Sequence, residues 1–246
     1  MNVTVLQTCD NSEHLSMLEA TSRTAREFCN RQGLAYERFV GIKRGLWPWH
    51  AVYNRIYMIK ELLDEGYKGW VLYMDADAYV CDLDFPVADY LASHSNSAGI
   101  FARVHHSAPY WDVNSGVFFL NADHPLARRL VEDWIDGHES AFSRKEFLIN
   151  RFPEMDIRLD DQGLLNEMLI ANPDWQSALH YESLSLINSI EASFLRHHLR
   201  ARTPNLEQRI KSIRREVDEI FSMDAKKALA PWWDLKVLLA RLKLLN

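Results

Sequence analysis

The 246-residue sequence predicts an α/β protein with a mainly parallel central sheet flanked by helices and a helical C-terminal tail. Three observations carry this prediction. The chain opens on a short β-branched run, Val3-Thr4-Val5-Leu6-Gln7-Thr8, that breaks at Cys9-Asp10-Asn11-Ser12 and passes into helical periodicity. Gly69-Trp70-Val71-Leu72-Tyr73-Met74 is continuously apolar, as a central strand covered on both faces should be. Strands alternate with helix-length segments, the pattern of crossovers that build a parallel sheet and leave ligands at its carboxyl ends.

The elements follow in order. Residues 13–31 carry Leu15, Leu18, Ala25 and Phe28 at helical spacing, and Gly33 is a C-terminal stop. A second strand is expected over 34–40. Trp47-Pro48-Trp49-His50 leads into a helix over 51–65 with Val52, Ile56, Ile59 and Leu63 on one side. After the apolar third strand, 97–103 and 117–120 read as strands, the latter preceded by a turn-like Asn114-Ser115-Gly116. Pro125 is expected to open a helix to about residue 135 with Asp123 as its N-cap. Asp160-Asp161-Gln162-Gly163 begins another that ends before Pro173. Residues 203–230 are charge-rich and helical in pattern, and Pro231-Trp232-Trp233 is expected to start a last, Leu-rich helix. No internal repeat is present.

Composition narrows the function. Hydrophobic residues at 48% and charged residues at 25% are those of a folded globular chain. Cys9, Cys29 and Cys81 are too few and too scattered for a disulfide framework or a thiolate zinc site. With no signal-peptide layout and no apolar run of membrane-spanning length, the expected location is cytoplasmic, or peripheral at the inner face of a membrane. The net charge of −6 speaks against nucleic acid as a partner. That charge is uneven: residues 196–246 hold 12 Lys or Arg against 6 Asp or Glu, and the remainder 16 against 28. An acidic body that binds an anionic ligand needs a metal or a local cation. The division of charge suggests a catalytic domain over 1–198 and a basic helical extension over 199–246.

The third strand delivers Asp75-Ala76-Asp77 at its carboxyl end, where an open α/β sheet places its site. Two carboxylates this close repel unless a cation sits beside them, and hard oxygen donors select Mg²⁺ or Mn²⁺. An ordinary solvated turn is the alternative.

The Asp75-Ala76-Asp77 strand end resembles the DxD motif of GT-A-fold nucleotide-sugar glycosyltransferases. Three further segments fall in the order of that superfamily. Asn114-Ser115-Gly116-Val117-Phe118-Phe119-Leu120 resembles its "N-x-G-hydrophobic" element, with a Leu-rich helix ending in Trp134 after it. Asp160-Asp161-Gln162 resembles its "D-Q" element, and Phe194-Leu195-Arg196-His197-His198 its late metal-binding histidine. The likeness is greatest to the galactosyl/xylosyl/mannosyl transferase group, which includes yeast α-1,2-galactosyltransferase and α-1,6-mannosyltransferase subunits. There a His-x-x-Trp-type helix precedes the DxD strand, roughly matched here by Trp49-His50.

The resemblance implies a GT-A fold and transfer, with retention, of a sugar from a UDP- or GDP-sugar to a glycan, lipid-linked or other hydroxyl acceptor. It implies Mn²⁺ or Mg²⁺ on Asp75, Asp77 and either His197 or His198. Asp75 and Ala76 would meet the nucleotide sugar, Asn114, Ser115 and Gly116 its sugar side, and Asp161 and Gln162, beside Asp160, the anomeric carbon. Thr8 and Arg55 are further candidates for the nucleotide, although Arg55 lies in a core-facing helix where a structural ion pair is the alternative. Trp47, Trp49, Tyr110 and Trp111 are candidates for stacking on an acceptor or for packing. His105-His106 suggests a loop over the donor. The last helix, with Leu235, Leu238, Leu239 and Leu242 on one side, suits the catalytic body, a homodimer partner or an anionic membrane surface. Two other readings are a haloacid-dehalogenase-type phosphatase with Asp75 as nucleophile, and a non-catalytic sugar-nucleotide-binding protein.

Overall fold

The computed structural model describes residues 1–142 and 160–241, with side chains up to Lys227. Strands β1 (Val3–Cys9), β2 (Ala35–Val40), β3 (Trp70–Asp75), β5 (Gly99–Arg103), β6 (Val113–Asn121) and β7 (Leu179–Glu182) form one sheet in the order β2-β1-β3-β6-β5-β7. Only β6 runs against the other five. A small second sheet of β4 (Ala78–Val80), β9 (Leu195–His197) and β8 (Ile187–Ser189) stands beside it. The helices are α1 (Leu15–Gln32), α2 (Asn54–Asp64), α3 (Val87–Ser93), α4 (Ala127–Phe142), α5 (Asp161–Ala171), α6 (Trp175–Ala178) and α7 (Leu206–Arg241).

Alternation along β3 shows why the apolar run is a central strand. Val71 and Tyr73 enter one core with Ile56 and Ile59 of α2 and Trp134 of α4. Trp70, Leu72 and Met74 enter the other, with Phe28 of α1 and Ile213 and Val217 of α7. Every side chain from Trp70 to Met74 is therefore buried, because successive residues point to opposite, covered faces. At the end of β1, Asp10 accepts backbone N–H groups of Ser12 and Glu13 at 2.7 Å and fixes the turn into α1. Gly33, with φ of +67°, closes α1.

Four boundaries differ from expectation. Asn114-Ser115-Gly116 is not a turn but part of β6, where the pairing with β5 jumps from Phe101↔Phe118 to Ala102↔Asn114. The intervening residues bulge because their partners lie across the site, not in the neighbouring strand. The segment after Trp47 begins as a 3₁₀ turn over Pro48–Tyr53 before α2. Helix α4 starts at Ala127, not Pro125, and runs through Gly137, which packs beside Leu164, to Phe142. Pro231 falls inside α7, which is one helix of 36 residues. Proline removes a single N–H, and helix-forming sequence on both sides carries the helix through it. The Leu-rich stripe beyond it lies outside the described side chains.

The first half of α7 packs on α1 through Ile213, Val217 and Ile220. The ion pairs at this contact run opposite in sign to the net charges of the two regions. Acids of the basic extension meet arginines of the acidic body: Asp218 with Arg23 and Asp224 with Arg31, each at 2.6 Å. No helix among the described residues is long and apolar enough to cross a membrane.

Candidate active site

Strand β3 ends at Asp75, a two-residue turn follows, and β4 leaves in a new direction. Side chains from β1 and α1 hold this turn by its backbone: Gln7 Nε2 donates to the carbonyls of Asp75 and Ala78 at 3.2 and 3.1 Å, and Thr21 Oγ1 to that of Ala76 at 3.0 Å. Pairing of β4 with β9 sets Ala78 opposite His197 and so carries a residue 120 positions away to Asp77. One donor atom each from Asp75, Asp77 and His197 lies within 4.8 Å of the other two.

The imidazole is oriented from behind. Its Nδ1 lies 2.7 Å from Asn188 Oδ1, so Nδ1 carries the proton and Nε2 faces Asp77 Oδ1 at 3.0 Å and Asp75 Oδ2 at 3.8 Å. Asn188 in turn donates from Nδ2 to the Asn114 carbonyl at 3.1 Å. Gly116 passes against the ring's other edge, where a Cβ would stand 2.2 Å from His197 Cε1. Thus the glycine of the Asn114-Ser115-Gly116 segment makes room for His197 and Asp75. His198 turns elsewhere, with Nε2 3.8 Å from Glu216 of α7.

Arg55 is the electrostatic centre of the other side. It is 3% exposed. Nη2 donates to Asp75 Oδ1 at 2.7 Å, Nη1 lies 3.1 Å from Asp161 Oδ2 and donates to the Ser115 carbonyl and hydroxyl, and Nε donates to the Val52 carbonyl. The guanidinium also lies over the Tyr73 ring, whose hydroxyl donates to Asp75 Oδ1 at 2.9 Å. Arg55, one candidate for the nucleotide, forms a buried bridge between the two acidic motifs, the structural ion pair named as its alternative.

Burial raises the Asp75 and Asp161 carboxyls above the usual range, even with Arg55 opposing it. Burial would raise Asp77 too, but the charge and hydrogen bond of His197, with Arg209, take it below. His197 is raised: burial opposes its protonation, and Asp77 outweighs burial.

At the start of α5, Asp160 caps the helix by accepting from Gly163 N at 2.6 Å, and burial followed by the Asp161 charge pushes its carboxyl up to about 6. Asp161 accepts from Ser115 Oγ at 2.8 Å, and its carbonyl accepts Trp134 Nε1 at 2.8 Å. Gln162 Oε1 accepts from Ser115 N at 3.4 Å. The three predicted segments are therefore in mutual contact. Thr8, opposite Asp75 in the β1–β3 register, is buried with its hydroxyl bound by Asn54 Nδ2 at 2.8 Å.

Two of the aromatic candidates pack. Trp49 and Trp111 lie against the α2 side of the core, and Tyr110 donates to the Leu169 carbonyl at 3.2 Å. His105 and His106 are exposed on the loop at 104–112.

Two contributors had not been singled out. Asn188 reads as an ordinary loop residue, and only its position behind His197 reveals it. Arg209 of α7 is 4% exposed, with Nη1 3.6 Å from Asp77 Oδ2, and its Nε and Nη1 have no hydrogen-bond partner among the described residues. It had a signal: it sits one turn before Ile213 on the apolar stripe of an otherwise charged helix.

The whole-chain comparison gives this geometry a context. A solved glycosyltransferase, involved in the glycosylation of the major capsid of PBCV-1, superposes with a TM-score of 0.61 over 87% of this chain and 98% of its own, at 15% identity. The chain shares the fold of that glycosyltransferase. A second structure, A197 from STIV, overlaps 81% of this chain and 86% of its own at 10% identity with a TM-score of 0.40, too low to bear on the fold. No family model and no curated protein sequence matches.

Proposed function

We propose that this protein is a metal-dependent glycosyltransferase that moves a sugar from a nucleoside-diphosphate sugar, with UDP or GDP as the carrier, to a hydroxyl of a glycan or lipid-linked acceptor. The observation that carries the proposal is the convergence of Asp75, Asp77 and His197 within 4.8 Å at the carboxyl end of a central strand. Two hard carboxylates and one imidazole, its other nitrogen tied to Asn188, suit Mn²⁺ or Mg²⁺. A divalent cation there supplies positive charge against the diphosphate that leaves as the glycosidic bond breaks.

The chain's own residues have separate tasks in this reading. Asp77 and His197 Nε2 are donors to the cation, with Asp75 shared between it and Arg55. Arg55 keeps the β3 end, Ser115 and α5 in register, so the DxD and D-Q segments act as one rigid wall. Asp161, 5% exposed and bound to Arg55 and Ser115, positions that wall. The less buried Asp160 and Gln162 face the sugar, and neither stands as a nucleophile. Retention of configuration is the outcome we assign, on the family resemblance.

The test is a panel of UDP- and GDP-sugars with Mn²⁺ or Mg²⁺. Nucleoside diphosphate is expected to be released by one donor, faster with a hydroxyl acceptor, and nuclear magnetic resonance of the product reads the anomeric configuration. Phosphate release from sugar phosphates without nucleotide binding would support the phosphatase reading instead. Tight donor binding with no turnover on any acceptor would leave a binding protein.

A further inference from the structure

A second group of metal-type donors lies three strand spacings from β3, about 14 Å across the sheet. His180 and Glu182 sit two apart on the edge strand β7, so both point to one face. Their partners in β5, Ile100 and Ala102, assign that face to the core shared with α3. His94, at the C-terminal end of α3, reaches the same spot. One donor atom from each of His94, His180 and Glu182 falls within 4.8 Å of the other two. All three residues are half-buried.

Two of the three donors are held by a second contact, both from Tyr90. His94 Nδ1 lies 2.8 Å from the Tyr90 carbonyl, which gives Nδ1 the proton and leaves Nε2 as the ring's electron-pair donor. Glu182 Oε2 accepts the Tyr90 hydroxyl at 2.7 Å and lies 3.5 Å from His180 Nε2. Ligands about 2.0–2.1 Å from a tetrahedral Zn²⁺ stand roughly 3.3 Å apart, close to that separation. Two imidazoles and one carboxylate form a softer set than Asp75, Asp77 and His197, and one that suits zinc with water in the fourth position.

We propose that His94, His180 and Glu182 form a second divalent-metal site, selective for Zn²⁺, that clamps edge strand β7 to the end of α3. It shares no residue with the site at Asp75.

The test uses tag-free protein carrying Asp75→Ala and Asp77→Ala, so that the first cluster cannot hold a cation. Titration with Zn²⁺ by calorimetry is expected to show about one equivalent bound, and Co²⁺ to give the visible absorption of a four-coordinate ion. Adding His180→Ala or His94→Ala should lower Zn²⁺ affinity by about tenfold or more, bleach the Co²⁺ band and abolish the rise in melting temperature on adding Zn²⁺. Circular dichroism in chelator verifies that these variants fold, and Glu182→Gln serves if one does not. Unchanged Zn²⁺ affinity in the folded histidine variants would overturn the proposal, as would a folded Asp75→Ala/Asp77→Ala protein that binds no zinc.

Discussion

Gly116 lies against His197: a Cβ at position 116 would stand 2.2 Å from Cε1 of the ring and 2.8 Å from Asp75 Oδ2. The ring cannot swing aside, because Asn188 holds Nδ1 and the residue is buried. Gly116→Ala should therefore displace the imidazole, cost roughly 1–3 kcal/mol of stability and lose most of the melting-temperature rise produced by Mn²⁺. Gly137→Ala, where the added carbon meets only Leu164 at ordinary contact distance, should leave the Mn²⁺ response intact. Thermal unfolding of both variants with and without Mn²⁺ makes the comparison.

Arg55 balances two buried acids, Asp75 and Asp161, in one core. Arg55→Met should destabilise by about 3–5 kcal/mol at neutral pH, since it leaves both carboxylates uncompensated. Arg55→Lys should recover little, because a single ammonium cannot reproduce the guanidinium's fork. Both carboxyls are already raised by burial, and losing Arg55 raises them further. Their protonation relieves the repulsion as pH falls, so urea midpoints of Arg55→Met and the parent should draw together as the pH is lowered from neutral.

His138 gives the fold an acid sensitivity outside the site. It is stacked on Tyr53 at 3.8 Å between ring centroids, and burial lowers its pKa from 6.5 to about 4. The folded value lies below the unfolded one, so the contribution to stability is full above pH 6.5 and is lost as pH falls toward 4. One proton corresponds to about 1.4 kcal/mol per pH unit, so the loss approaches roughly 3 kcal/mol across that window. Urea unfolding at pH 7 and 4.5 should show a smaller pH difference for His138→Gln than for the parent.

Much of this architecture is legible in the sequence where one periodicity acts alone. The run from Trp70 to Met74 reads as a buried strand because both of its faces are covered, and Gly33 reads as a helix stop because it takes a positive φ. The short strands β4, β8 and β9 carry too few residues to show alternation, yet β9 is what brings His197 to Asp77. Asn114-Ser115-Gly116 has turn composition for a different reason. Asn114 accepts the Gly116 N–H, Ser115 binds Arg55 and Asp161, and Gly116 yields space to His197, all within a strand. The adjacent histidines could not be told apart in the sequence; in the fold His197 alone meets the two aspartates, while His198 faces Glu216. Arg209 was hidden by the many exposed charges around it on α7.

The central claim is that Asp77 and His197 hold a divalent cation that in turn binds a nucleoside diphosphate. Thermal unfolding with Mn²⁺ and UDP or GDP, separately and together, tests it most directly. The account predicts that one nucleotide with Mn²⁺ raises the melting temperature of the parent by several degrees, that neither component alone does so fully, and that Asp77→Ala abolishes the combined effect while remaining folded. Metal-dependent stabilisation by the nucleotide that survives in Asp77→Ala would contradict it.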